Sequence, residues 1–177
     1  MTWTRRALDL PEHVRGELAR RLNRLHRYFP EVRGGVRIGI TRSLEGFAFQ
    51  SDEGDAKLML EVRRRRNGGW KLPTYWTLGH ELMHLAQFNS SGIPQGERAC
   101  DVFALARLPP RFIDEAPSYL VVPRGCRGCW TRRHARLAHD VAKEAVALRS
   151  GGLKRYAVWW EREFNWRAGR SNLRATR

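Results

Sequence analysis

Residues 75–89 read Tyr75-Trp76-Thr77-Leu78-Gly79-His80-Glu81-Leu82-Met83-His84-Leu85-Ala86-Gln87-Phe88-Asn89. Trp76, Leu78, Leu82, Leu85 and Phe88 recur at helical spacing, and Pro73-Thr74 is the punctuation that opens a helix. In a helix of 3.6 residues per turn, His80 and His84 project from one face with their imidazoles able to meet at one ion. Glu81 points to one side of His80, where a carboxylate can take a proton from water without itself binding the metal. The same short pattern also arises in helices that bind nothing. Against that stands the apolar setting: burying unpaired His and Glu among Leu78, Leu82, Met83 and Leu85 is costly, and a metal offsets the cost.

A catalytic zinc takes three protein ligands and keeps a position for water, so a third donor must come from elsewhere in the chain. The next helical stretch, Glu97 to Arg107, carries Val102, Leu105 and Ala106 before Pro109-Pro110 stops it. Glu97 opens it and Asp101 follows four residues later on the same face. Glu97 is the expected third ligand and Asp101 the carboxylate expected to orient a ligating histidine. Acidic residues in a first turn also complement the helix dipole with no metal near, and that reading stands beside the first.

Working outward, Val14, Leu18, Leu22, Leu25 and Phe29 predict an amphipathic helix from Pro11 to about Phe29, ended by Pro30. After Gly34-Gly35, the alternations Val36-Ile38-Ile40 and Phe47-Phe49 predict two strands. A third strand over Lys57–Arg63, with Leu58, Leu60 and Val62 on one face, is expected beyond a polar turn at residues 51–55, and its basic end suits a sheet edge. Beyond Pro123 follow a cysteine-containing turn, a helix from about Thr131 to Arg149, the break Gly151-Gly152, and an aromatic-basic helix from Leu153 to about Ala168. The expected fold is α+β: an N-terminal helix, a small sheet of three strands or slightly more, the two site helices and a helical C-terminal region.

His80-Glu81-x-x-His84 followed by Glu97-x-x-x-Asp101 resembles the gluzincin zinc metallopeptidases, especially the very small minigluzincins. The stretch Glu97-Arg98-Ala99-Cys100-Asp101-Val102-Phe103-Ala104 also resembles the second helix of ImmA/IrrE-type peptidases. The resemblance implies a zincin-like catalytic domain over residues 1–122 with one catalytic zinc on His80, His84 and Glu97, hydrolysing peptide bonds in a peptide or protein substrate through zinc-activated water. It implies that an edge strand, here Lys57 to Arg63, aligns an extended substrate, and that the tail after Gly152 covers the cleft and holds the enzyme latent. A weaker resemblance to SprT-type, DNA-associated proteases finds no third histidine soon after the motif.

A chain of 177 residues with 42% apolar residues can bury one real core. Nowhere do about 18 apolar residues run together, the length a membrane-crossing helix needs. Asp9, Glu12, Arg15 and Glu17 interrupt what would be an export signal, and three cysteines are too few for a disulfide scaffold. These features predict a cytoplasmic protein with no membrane partner.

The net charge of +15 comes almost wholly from arginine, since Lys57, Lys71, Lys143 and Lys154 are the only lysines. Either a codon bias toward arginine or a polyanion partner accounts for it, and Arg63-Arg64-Arg65-Arg66 before the turn Asn67-Gly68-Gly69 speaks for the latter. Cys126-x-x-Cys129 followed by His134 and His139 offers four donors for a second, structural zinc; the plainer alternative is an exposed turn with incidental histidines, five apart and awkward for one helix face. Tyr156, Trp159, Trp160, Phe164 and Trp166, interleaved with arginines, make either a helix docked on a core or a stacking surface for single-stranded nucleic acid. Residues 123–177 are thus expected as a basic Cys/His turn and helical tail packed on the domain. The rival to an enzyme is a nucleic-acid-binding or regulatory protein that keeps a metallopeptidase fold.

Overall fold

The computed structural model describes residues 1–41, 46–50 and 56–175, with side chains through Arg170, so the polar turn expected at 51–55 lies outside the described residues. Among them are seven α-helices and a four-stranded mixed sheet, so the chain is α+β. They cluster into two compact units, Met1–Ile93 and Pro94–Arg177. The Cys/His turn and the aromatic-basic helix therefore share a unit with the helix that opens at Glu97.

The first unit begins with strand β1 (Thr2–Trp3), a single turn of helix α1 (Arg5–Leu8) and helix α2 (Glu12–His26). Val14, Leu18, Leu22 and Leu25 are the buried stripe of α2, as their three- and four-residue steps require. Strands β2 (Val36–Thr41), β3 (Gly46–Gln50) and β4 (Ala56–Glu61) complete the sheet in the order β1-β2-β4-β3. β2 pairs parallel with both β1 and β4, and β3 pairs antiparallel with β4.

The strand expected at the edge, Lys57–Arg63, is instead central. β4 carries hydrogen-bonded neighbours on both sides, and Leu58 and Leu60 are wholly buried, which is what two covered sides demand. The edges are β1 and β3. Arg63 leaves the sheet altogether: strands β5 (Arg63–Arg64) and β6 (Trp70–Lys71) form a separate antiparallel hairpin, turning through Gly68 at φ 81°. Only glycine takes that backbone conformation without strain.

Helix α3 (Tyr75–Phe88) closes the unit and packs against α2, β3 and β4. Its start is fixed by Thr74, whose hydroxyl accepts the Thr77 amide at 3.0 Å. Trp76, Leu78, Leu82 and Leu85 are buried as expected, whereas Phe88, in the last turn, is half exposed.

The second unit is helical: α4 (Glu97–Arg107), a 3-10 turn (Pro110–Phe112), α5 (Arg124–Gly128), α6 (Arg132–Ser150) and α7 (Tyr156–Ala175). Within it α4 packs on α6 and α6 on α7. Tyr156, Trp160 and Phe164, spaced by four, are buried, with the Trp160 and Phe164 rings stacked at 4.9 Å and the Trp160 indole donating to the Ala138 carbonyl. Those rings build the core of their unit and are not open to stack on a ligand. Trp166 is exposed, with the Arg170 guanidinium 4.3 Å above it. No helix among the described residues is long and apolar enough to cross a membrane.

Replacing Thr74 by Ala removes the cap on the helix bearing the histidine pair. A loss of about 1 kcal/mol is expected, read as a lower urea midpoint at unchanged slope.

Candidate metal centre

The histidines expected to share an ion do converge. His80 is buried and His84 partly so, and their Nε2 atoms stand 3.1 Å apart with the rings edge to face. Zinc with two nitrogens at 2.0–2.1 Å and a tetrahedral angle between them sets those nitrogens about 3.3 Å apart. The separation of the pair matches such an ion closely.

The tautomer of His84 fits as well. Its Nδ1 lies 2.9 Å from the Gln87 side-chain oxygen, an atom that can only accept, so Nδ1 donates and Nε2 is the nitrogen turned toward His80. Gln87 is buried, three residues beyond His84 on the same helix face. Its signal in the sequence is the three-residue step from His84.

Glu81 is buried in the same helical turn. It comes so close to the edge strand β3 that a Cβ built on Gly46 would stand 2.9 Å from its Oε1 and 3.1 Å from its Cγ. Gly46 is thus the residue that leaves room for the carboxylate. A glycine at the head of an alternating strand is the sequence mark of such a close approach.

In the second unit, Glu97 sits exposed in the first turn of α4, just after Gly96 at φ 99°. Cys100 and Asp101 are both wholly buried. Asp101 Oδ2 accepts the Tyr119 backbone amide at 2.8 Å, so within its own unit this carboxylate holds the segment ahead of α5.

The four residues expected for a structural zinc are not gathered around a common point: among the described residues, no three of Cys126, Cys129, His134 and His139 reach ligand distance together. Cys126 is buried and Cys129 exposed. Burial, with a smaller contribution from neighbouring Cys129, pushes the Cys126 thiol above its ordinary pKa. His134 closes a capping box with Thr131 at the start of α6. His139 directs Nδ1 at the Leu105 carbonyl at 2.9 Å, as five-residue spacing on one helix allows when the two rings do different work.

Comparison of the chain with known protein families, with functionally characterised proteins and with solved structures finds no match.

Gly46→Ala drives a methyl group into Glu81, and a loss of about 1–3 kcal/mol is expected in denaturant unfolding. In a double-mutant cycle, most of that loss should vanish in a Glu81→Ala background; equal losses in both backgrounds show that Glu81 is not what the methyl meets.

Proposed function

We propose that the chain is a zinc-dependent metallopeptidase, with His80 and His84 as metal ligands and Glu81 as general base. The observation that carries this reading is the meeting of two imidazole Nε2 atoms at 3.1 Å with a buried carboxylate in the same turn of helix. A zinc ion held there supplies a Lewis acid that polarises a carbonyl and makes water a stronger acid near neutral pH. Glu81 accepts the proton of the attacking water and returns it to the departing amine. Gln87 holds His84 in the tautomer that offers Nε2.

The resemblance to gluzincins implies Glu97 as the third protein ligand, and Cys100 stands three residues further on the same face of α4. A peptide substrate suits the sheet, because β3 is an edge strand whose outer backbone groups can take up an extended chain. That edge begins at Gly46, beside the Glu81 carboxylate. The resemblance to gluzincins, carried by His80, Glu81, His84 and Glu97, points the same way.

One observation favours a second reading, in which the chain binds nucleic acid and cleaves nothing. Arg64, Arg65 and Arg66 are exposed together on the β5–β6 hairpin, and Arg63 beside them pairs with Glu61. Steeply salt-dependent nucleic-acid binding without proteolysis selects it.

Elemental analysis tests the metal first: wild type should hold about one zinc more per chain than His84→Ala. Zinc unchanged by that substitution sinks the enzyme reading. Glu81→Gln should keep the metal while turnover of a quenched fluorogenic peptide falls by about 10²–10⁴. Of Glu97→Gln and Cys100→Ser, the one that lowers zinc content identifies the third ligand.

Gln87→Leu should retain the fold and weaken zinc binding by about 10–100-fold in competition with a chromophoric chelator. Unaltered affinity denies Gln87 a part in orienting His84.

A further inference from the structure

The sheet of the first unit has two unlike faces. Val36, Ile38, Ala56, Leu58 and Leu60 form the buried one. On the other face the strand registers align two rows: Arg37, Lys57 and Phe49 across β2, β4 and β3, and Gly39, Met59 and Phe47 across the same strands. Thr4 and the Met59 thioether lie over Gly39, where a Cβ would collide with the sulfur, so one end of this face is filled. The β3 end is open: Phe47 is 40% and Phe49 45% exposed.

Each part of this arrangement is unfavourable for an isolated domain. Two phenylalanines of an edge strand offer their rings to water, and Arg37 and Lys57 stand directly opposite one another as register partners. Like charges directly opposite on one face of a sheet repel. A ligand with flat apolar groups and negative charge between them relieves both at once. Residues two apart on a strand are separated by about 6.6 Å, a step that one nucleotide of a single strand can span. Lys57 Nζ lies over the Phe49 ring, 6.0 Å from its centre, so a cation stands at the platform within reach of the phosphate of a stacked nucleotide.

The geometry points to a binding platform for single-stranded nucleic acid on this sheet face, with bases stacking on Phe47 and Phe49 and phosphates meeting Lys57 and Arg37. A duplex does not fit the arrangement, because its bases are already stacked on each other. An acidic peptide supplies charge but lacks the flat rings. The platform is independent of the metal centre, since Phe47 and Phe49 alternate with Gly46, Ala48 and Gln50, and Gly46 is the residue that faces Glu81.

Fluorescence anisotropy of labelled twelve-nucleotide oligo-dT and oligo-U, titrated with full-length Glu81→Gln protein, tests this whether or not the chain is a peptidase. Binding to one or both is expected, and their ratio tells DNA from RNA. Phe47→Ala and Phe49→Ala should each weaken binding by about five- to a hundredfold at unchanged salt slope, and Phe→Trp at each position should restore it. Arg37→Gln and Lys57→Gln should each reduce the slope of log affinity against log salt by about 0.7.

A control with Arg64, Arg65 and Arg66 all changed to Gln removes the hairpin charge and should leave the dependence on the two rings intact. The proposal is overturned if neither oligonucleotide binds. It is overturned equally if the double Phe→Ala variant, checked for native thermal unfolding, binds as wild type does. Loss of self-association in sedimentation by that variant, with nucleic-acid binding unmoved, makes the face a contact between copies of the chain and likewise overturns it.

Discussion

Two imidazole nitrogens that face each other at 3.1 Å inside a largely apolar helix set the terms for the rest of the first unit. Lone pairs so directed repel unless a proton or a cation lies between them, and a buried carboxylate in the same turn adds an anion that must also be satisfied. Each surrounding feature bears on that requirement. Thr74 fixes where the helix starts and hence which residues face inward. Gln87 assigns the proton on one imidazole. Gly46 leaves on β3 the space that the carboxylate fills. A helix of this length packed only for stability would carry leucine or alanine at positions 80, 81 and 84, with no such provisions around them.

Helices were legible because their apolar periods are long and their ends are punctuated. The helical spacing over Glu97–Arg107, stopped by Pro109-Pro110, matches α4 to the residue. The sheet was legible only as alternation. Nothing in the alternation of β2 or β4 says which strand lies between which, and a basic residue at the end of Lys57–Arg63 looked like an edge when it was the start of a new hairpin. Parallel pairing of β1 with β2 joins residues more than thirty positions apart, with two residues of strand on one side, and no local pattern announces it.

The site shows the same limit in another form. His80, Glu81 and His84 were found by spacing within one helix, a local property. Gly46 and Gln87 matter through what they touch, and composition gives glycine in a strand or glutamine near a helix end many ordinary uses. His134 and His139 err in the opposite direction. Their spacing after two cysteines looked like a ligand set, yet one serves a helix cap and the other a neighbouring carbonyl, both of which histidine does without a metal. The aromatic helix was ambiguous for the same reason, since Trp160 and Phe164 at four-residue spacing suit a core and a stacking surface alike until the faces are known.

The arginine surplus can be taken one step further than its total. The chain has 33 basic and 18 acidic side chains, so even if every carboxylate took one cation a large excess would remain. Several carboxylates are committed: Glu144 and Glu163 to Arg167, Glu161 to Arg98, Glu17 to Arg20 and Arg21. The hydrogen bond from Arg167 holds the Glu144 carboxyl below its ordinary pKa, so this pair contributes stability at neutral pH that is lost as pH falls through the lowered value. These pairs brace α7 and α2, and a codon bias toward arginine explains cations used in this way as well as any selection does. It does not explain consecutive arginines raised on a hairpin, nor two cations set opposite each other on a sheet face beside exposed rings. Like charges brought together in this way are the arrangement that the polyanion of the proposed platform would relieve.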